Sequence, residues 1–364
     1  MRNAMVRLEP RREPSRVMLY ATPFVAFVLT LLAGLVLFWA LGKDPVRALG
    51  LIFITPLTSV RGVAELLVKS TPLILIATGF AFGFRAGVWN IGAEGQFTIG
   101  AISGGAVALY FHPGGGPLLL PAMMLAGVLG GVAWAAIPAL LRTHFNANEI
   151  LTSLMLVYVA LLLLGLMVQG PLRDPQSYNF PESKLFQNAA LLPALIPKTR
   201  AHIGFLIAVG VVAVAHVLMT RHILGFMVRV FGDAPRAAAF AGFSEKRMVW
   251  LSFAISGGLA GLAGLFEAAG PVGQLVPQLP SGYGFTAIIV AFLGRLQPLG
   301  ILAAGLLLGL THIGGETAQI TMSLPSATTS VFQGMLLFFL LASDVLVNFR
   351  LRFGLRAPVG VGGN

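Results

Sequence analysis

Long apolar runs, separated by short polar segments, follow one another along almost the whole chain. A helix needs roughly 20 apolar residues to cross the hydrocarbon core of a bilayer, and ten runs meet this requirement, some of them only marginally. They predict transmembrane helices at Val17–Leu41, Ala64–Phe84, Gly92–Phe111, Leu118–Leu141, Glu149–Gln169, Ile203–Thr220, Val249–Ala269, Gly282–Gly294, Leu299–Gly314 and Val331–Val347. The eighth run is short and follows Pro280 and Ser281, so a broken or re-entrant start is one interpretation. Such backbone is tolerated only where it lines a cavity or is buried in protein.

The composition supports lipid as the solvent for much of the chain. Hydrophobic residues make up 57% of the 364 positions and charged residues only 10%, whereas a soluble domain is about 25% charged. The net charge of +11 lies in short segments between the apolar runs, and no basic face carries interleaved aromatic residues. We therefore expect this charge to set membrane topology, with membrane lipid as a partner and no nucleic acid.

The distribution of lysine and arginine predicts the orientation. Five arginines precede the first apolar run, which is too long for a signal peptide and indicates an uncleaved anchor with a cytoplasmic N-terminus. With ten spans, 16 of the 24 basic residues fall on the cytoplasmic side. This two-to-one bias favours an even number of spans with both termini in the cytoplasm. Models with eight or eleven spans stay open, because boundaries are hard to read from a pattern.

The predicted fold class is all-α, a polytopic transmembrane helix bundle. Its predicted parts are a cytoplasmic N-terminal tail (1–16), a transmembrane permease domain (17–349) and a cytoplasmic C-terminal tail (350–364). Two loops are long, an outer loop at 170–200 and a cytoplasmic loop at 221–247. In the cytoplasmic loop, Pro235 followed by alanines predicts a short helix that ends at Gly242.

Several kinds of catalytic chemistry are absent from the sequence. The Gly42–Lys43 pair is followed by an aspartate, so the chain has no P-loop for a nucleotide phosphate. There is no G-x-S-x-G motif, no pair of histidines at H-x-x-x-H spacing and no cysteine. We therefore expect neither an enzyme nor a metal site, and no cofactor in this chain.

The segment 84–96 is the most unusual one, because it places Asn90, Glu94 and Gln96 among apolar spans. Polar side chains at membrane depth are costly and tend to face a cavity or each other. Nearby glycines permit an unwound backbone that could face a ligand or water. One interpretation is that the three side chains line a substrate pathway. The other is a polar loop at the cytoplasmic surface with a helix cap at Asn90.

Small residues recur four positions apart, a spacing that lets membrane helices approach closely. These pairs predict a compact bundle: Gly127 and Gly131, Gly257 and Gly261, Ala260 and Gly264, and Gly305 and Gly309. Three carboxylates, Glu149, Glu267 and Asp344, lie at the edge of a span or within one. Each is expected to cap a helix or pair with a nearby cation, with a functional role as the alternative.

Three stretches carry a resemblance to a known family. They are Asn90-Ile-Gly-Ala-Glu-Gly-Gln96, then Gly225–Gly242 with Ser256–Gly264, and Gly282–Arg295 with Pro298-Leu-Gly300. In them the chain resembles the permeases of the branched-chain amino acid and simple-sugar class of bacterial ABC importers, the type II importer permeases. It is most similar to the nucleoside subfamily, whose binding proteins are basic membrane lipoproteins.

The resemblance implies a permease subunit of an ATP-binding cassette uptake system in the bacterial inner membrane. Its expected partners are ABC ATPase subunits that bind the ATP, a second permease subunit and an extracytoplasmic substrate-binding lipoprotein. The expected substrate is a nucleoside. The cytoplasmic segment resembles the coupling helix that docks on the ATPase. Its candidate residues are Arg229, Gly232, Asp233, Pro235, Arg236, Ala238 and Gly242.

Other functions stay open on the sequence. Within the same class, the substrate could be a simple sugar or a branched-chain amino acid. A secondary transporter driven by an ion gradient is a different possibility, and it would need its own ion site near the bilayer midplane. An intramembrane enzyme would need a nucleophile and a base, and the sequence shows no such pair.

Overall fold

The computed structural model describes residues 5–10, 15–178 and 180–354. Arg2, Arg11, Arg12 and residues 355–364, with Arg356, lie outside the described residues. The described ranges contain the helices α1 (Arg16–Ala40), α2 (Pro45–Phe53), α3 (Val60–Arg85), α4 (Ala93–Tyr110), α5 (Leu119–Phe145), α6 (Glu149–Gln169), α7 (Gly204–Arg221), α8 (Ile223–Asp233), α9 (Pro235–Phe240), α10 (Glu245–Glu267), α11 (Tyr283–Leu293), α12 (Pro298–Met322) and α13 (Ala327–Asn348). Two strands, β1 (Met5–Pro10) and β2 (Phe349–Gly354), complete them.

Each of the ten predicted spans corresponds to one helix, and the all-α class is confirmed. Among the described residues, eight helices are long and apolar enough to cross a membrane. The other two predicted spans are α4, whose first turn is polar, and α11, which has 11 residues. At about 1.5 Å per residue, α11 is roughly 16 Å long, about half of the hydrocarbon core. The eighth apolar run is therefore a half-helix.

Side chains at the ends of the long helices explain where they begin. Ser59 accepts a hydrogen bond from the backbone N–H of Gly62 at 3.0 Å and begins α3. The Asn148 side chain accepts a hydrogen bond from the backbone N–H of Ile150 at 2.9 Å, and α6 begins at the next residue. Both satisfy N–H groups that have no partner within the helix. The short helices α2 and α8 were not predicted, because neither is long enough to produce a span-length apolar run.

The described chain forms two compact units, one of which joins its two ends. In this unit, β1 and β2 pair antiparallel from Met5 opposite Gly354 to Pro10 opposite Phe349. Their pairing places the start of α1 and the end of α13 on the same side of the membrane. An even number of crossings follows, as the basic residues predict. The strand pair itself was not predicted.

The second unit, Gly50–Pro325, has α3, α4, α5 and α10 at its centre. Glycines allow these helices to touch through their backbones. A Cβ atom on Gly261 would overlap the carbonyl oxygen of Gly127, and one on Gly264 would overlap that of Phe97. Since lipid offers no hydrophobic drive for helix association, close packing of this kind stabilises the bundle. The predicted packing role of the small residues is confirmed.

The outer loop pairs with the connection between α10 and α11. Backbone hydrogen bonds join Phe186 N–H to the Gly273 carbonyl at 2.8 Å and Leu192 N–H to the Ala269 carbonyl at 2.9 Å. At the end of the loop, His202 is buried, and burial lowers its imidazole pKa to about 4, because a low-dielectric site disfavours the charged ring. His202 is therefore neutral at physiological pH. The two backbone hydrogen bonds of the outer loop hold the segment that leads from α10 into α11.

Candidate functional site

The start of α11 is buried and held by a carboxylate. Glu94, in the first turn of α4, accepts hydrogen bonds from the backbone N–H groups of Gly282 at 2.8 Å and Gly284 at 2.5 Å. The first N–H groups of a helix have no partner within the helix and carry a partial positive charge. The Glu94 side chain supplies both the acceptors and the opposite charge. Gly284 permits this approach, because a Cβ atom there would overlap the backbone nitrogen of Glu94.

The side-chain amides of Asn90, just before α4, and Gln96, in its first turn, hydrogen-bond to each other in both directions. The Asn90 amide nitrogen donates to Gln96 Oε1 at 2.8 Å, and Gln96 Nε2 donates to Asn90 Oδ1 at 3.0 Å. Asn90 also donates to Ser256 Oγ of α10 at 2.8 Å and accepts from the N–H of Gly92 at 3.0 Å. This network satisfies the buried amides and ties the start of α4 to α10.

The structure therefore places the three polar residues predicted for the pathway in the protein interior. Asn90 and Glu94 are 2% exposed and Gln96 is 1% exposed. The alternative interpretation, a helix cap at Asn90 in a surface loop, is wrong, because Asn90 is buried and the N-cap residue of α4 is Gly92, which has no side-chain cap. All three side chains bond to protein atoms in this conformation. Their assignment to the substrate pathway stays a prediction.

A second polar cluster lies on the other side of the first turn of α11. The Tyr283 hydroxyl donates to Glu267 Oε1 of α10 at 3.2 Å, and both residues are buried. The ring of Tyr283 stacks with the imidazole of His312 of α12, at 6.0 Å between centroids and 22° between planes. Lys69 of α3 places its Nζ 5.5 Å from the centroid of the Tyr283 ring. The first turn of α11 therefore lies between the carboxylates of Glu94 and Glu267.

Two further polar contacts border the cluster. His312 Nε2 lies 3.4 Å from Glu316 Oε1, one turn further along α12. Arg200, from the outer loop, forms a two-pronged pair with Glu65 of α3 at 2.9 and 2.7 Å. This hydrogen bonding raises the pKa of the Arg200 guanidinium above its ordinary value, so the residue keeps its charge. We call Glu65, Lys69, Glu267, Tyr283, His312 and Glu316 the ionisable cluster.

The position of the ionisable cluster restricts what can cover it. Tyr283 and Glu267 are buried, Lys69 and His312 are partly exposed, and Glu316 has half of its side chain exposed. Charged groups in a span face protein or a water-filled cavity, because exposure to lipid costs several kcal/mol. This surface of α3 and α12 therefore faces water or another protein, which is the environment that a polar solute requires.

Sequence analysis missed most of the ionisable cluster. Lys69, Tyr283 and His312 come from three helices that are distant in sequence, and no local motif joins them. One sequence signal could have pointed to the cluster. Lys69 and His312 are ionisable residues inside apolar runs, where such residues are rare.

The structure accounts for the carboxylates that the sequence singled out. Glu267 bonds to Tyr283, as described above. Glu149 pairs with Arg142 at 2.5 Å, which confirms the expected cation partner. Asp344 accepts a hydrogen bond from the Thr22 hydroxyl at 3.3 Å, within the unit that joins the chain ends.

The segment predicted for coupling forms α8 and α9. The predicted helix over Pro235–Gly242 is observed as α9, and Gly242 follows it with a φ of 82°, a left-handed value that favours glycine. Ala238 is buried and Phe240 is 94% exposed. Of the other candidates, Arg229, Gly232 and Asp233 lie on α8, and Pro235 and Arg236 lie on α9, all of them exposed.

Gly232 allows α8 to lie directly against the end of α3. A Cβ atom at Gly232 would overlap the carbonyl oxygen of Arg85, the last residue of α3. Two backbones that touch in this way have no flexible side chain between them that could absorb a displacement. Since α3 also carries Lys69, a backbone connection runs from the cytoplasmic segment to the ionisable cluster.

Comparison with known proteins decides the family. A model of the family described as "branched-chain amino acid transport system / permease component" matches residues 62–341. The chain belongs to this family. It is 37% identical over 358 residues to the glucose ABC transporter permease protein TsgB13 of Haloferax volcanii, covering 96% of this chain and 94% of that protein. It is 30% identical to the nucleoside ABC transporter permease protein NupB of Lactococcus lactis, covering 89% of this chain and 91% of that protein.

A third relative is the guanosine ABC transporter permease protein NupP of Bacillus subtilis, 28% identical over 90% of this chain and 94% of that protein. No solved structure matches this chain. Together with the apolar helices, these matches identify a multi-pass membrane protein, the permease subunit of an ABC uptake system for sugars or nucleosides. It is a transport component.

Proposed function

We propose that this permease imports a nucleoside across the bacterial cytoplasmic membrane. The observation that carries the proposal is the ionisable cluster, which offers a cation, carboxylates and an imidazole beside the half-helix α11. A nucleoside carries ribose hydroxyls and a base with hydrogen-bond donors and acceptors. Lys69, His312 and Glu316 are partly open, so they can exchange their present contacts for hydrogen bonds to such a solute.

Import of glucose is the second candidate, and a specific observation favours it. The Haloferax volcanii relative, which is named for glucose, is 37% identical to this chain over 96% of its length. Glucose and ribose present the same kind of hydroxyl groups, so one set of carboxylate and ammonium groups suits either. The base separates the two substrates, because only a nucleoside has a flat ring that could pack on an aromatic or imidazole ring.

We propose that the energy comes from ATP bound by separate ABC ATPase subunits, with no cofactor in this chain. The exposed helix α9 is the docking element, because the apolar side chain of Phe240 is left in water unless a partner covers it. Movement of α9 passes through α8 to α3 at the contact between Gly232 and Arg85. Displacement of α3 then moves Lys69 relative to α11 and α12, which opens and closes the pathway.

Two further partners are proposed, a second permease subunit and a substrate-binding lipoprotein. The half-exposed charges on α3 and α12 need protein or water over them, and we propose a second permease subunit with the pathway between the two. An extracytoplasmic substrate-binding lipoprotein would deliver the solute to the outer loop at 170–200. Both partners are proposed on the basis of the family to which this chain belongs.

Uptake by cells tests the substrate. Deleting this chain, with its ATPase retained, should reduce the uptake of a radiolabelled nucleoside to background, and the intact chain should restore it. An excess of unlabelled nucleoside should compete with the label, whereas an excess of glucose should not. Unchanged nucleoside uptake together with a loss of glucose uptake would reject the nucleoside and select glucose.

A further inference from the structure

A cavity with both charged and apolar lining residues lies at the cytoplasmic ends of α3, α7 and α8, beside the turn into α12. Its volume is about 690 Å³. Two arginines from different helices line it, Arg85 at the end of α3 and Arg229 of α8. His216 and Gln297 contribute further polar groups. The cavity is separate from the ionisable cluster, with which it shares no residue.

The charges around this cavity are not balanced. Neither Arg85 nor Arg229 has a carboxylate within ion-pair distance among the residues that the structure describes. Asp233 is the one acidic residue among the described lining residues. Two guanidinium groups that face a common space without their own partners repel each other, and an anion between them removes this repulsion. The lining therefore favours a negatively charged ligand.

The surroundings indicate where such an anion would come from. Arg85 is the last residue of a membrane-spanning helix, so the cavity lies at the level of the lipid headgroups. Trp89, also in the lining, stacks on Phe84 with centroids 4.8 Å apart. Tryptophan prefers this interfacial depth, where one part of the ring meets apolar chains and the other meets water. A ligand at this place can have a charged end and an apolar end.

We propose that this cavity binds the phosphate headgroup of an anionic phospholipid. Arginine binds phosphate oxygens with two parallel N–H groups, and basic pockets between helices on the cytoplasmic side suit anionic headgroups. Phosphate between Arg85 and Arg229 connects the end of α3 to α8. The aromatic surface of Trp89 and Phe84 packs against the glycerol and the first acyl carbons. A free phosphate ion would use the arginines and leave that apolar surface uncovered.

Native mass spectrometry of the full-length detergent-purified permease tests the proposal. The probe is an equimolar mixture of phosphatidylglycerol and phosphatidylcholine. The wild-type chain should retain phosphatidylglycerol preferentially, and Arg85→Gln and Arg229→Gln should each reduce that preference about fivefold, since one basic residue contributes about that much at an anionic surface. Arg221→Gln is the matched control, an exposed arginine on the same side that does not line the cavity, and it should retain the preference.

Three results would overturn the proposal. The first is equal retention of phosphatidylglycerol by the wild type and by both variants, with thermal unfolding curves that show all chains folded. The second is displacement of the lipid by millimolar inorganic phosphate, which would identify a site for a soluble anion. The third is unchanged lipid retention combined with loss of ATPase binding in Arg229→Gln, which would assign the arginine to a carboxylate of the ATPase.

Discussion

Replacing Glu94 by alanine is expected to remove most of the folded permease from the membrane. The change leaves the N–H groups of Gly282 and Gly284 without acceptors in a buried site. Each buried, unsatisfied donor costs about 1–3 kcal/mol, and the positive end of α11 loses its counter-charge as well. The total is a large part of the stability of a protein. The measurement is the amount of monodisperse protein recovered from membranes, together with its unfolding temperature.

Two further variants separate this effect from a general loss of charge. Glu94→Gln keeps one carbonyl oxygen as an acceptor, so its yield should lie between those of the wild type and Glu94→Ala. Glu245→Ala removes a mostly exposed carboxylate at the start of α10 and should leave the yield unchanged. A normal yield and unfolding temperature for Glu94→Ala would show that α11 does not need this cap.

The second large effect is expected at Gly232, where an alanine should uncouple transport while the chain still reaches the membrane. The added Cβ overlaps a backbone oxygen of α3, so α8 must move away from Arg85. Overpacking of this kind costs about 1–3 kcal/mol, which lowers the population of the docked arrangement roughly 5- to 150-fold. Uptake should fall by a comparable factor, because movement of α9 no longer reaches α3.

Gly210→Ala is the matched control, because Gly210 lies in α7 with open space around the position of a new Cβ. Alanine stabilises a helix relative to glycine, so this variant should transport normally. Both variants should be compared at equal membrane levels. Normal uptake by Gly232→Ala would mean that the contact between α8 and α3 carries no coupling.

The apolar pattern was sufficient to locate the ten predicted spans, each of which is a helix. Glu149–Gln169 was predicted with the bounds that the structure has, because Asn148 caps it and lipid requires an uninterrupted apolar run. Helices that leave the membrane are governed by other factors. The short helix α8 forms where Gly225 and Gly232 permit contact with neighbouring backbones, and this tertiary condition has no signature in hydropathy.

The site was harder to predict than the helices. Segment 90–96 could be singled out, because three polar side chains so close together among apolar spans are unusual. The partners of these residues could not, since Ser256 and Gly284 are far away in sequence. Tyr283 also looked like an ordinary member of an apolar run. Its role beside Glu267 and His312 depends on the short α11 placing its first turn inside the membrane.

The reactivity of single cysteines tests whether the ionisable cluster lines a water-filled pathway. The natural chain has no cysteine, so Lys69→Cys and His312→Cys each introduce the only thiol. Leu162→Cys is the control, because Leu162 is 76% exposed on the membrane-spanning helix α6.

The reagent is a charged, membrane-impermeant thiosulfonate applied to the assembled transporter from the outer side. We expect the thiols at positions 69 and 312 to react, transported solute to slow both reactions, and the thiol at position 162 to stay unmodified in lipid. If positions 69 and 312 are as unreactive as position 162 in correctly assembled transporter, the ionisable cluster does not line a water-filled pathway.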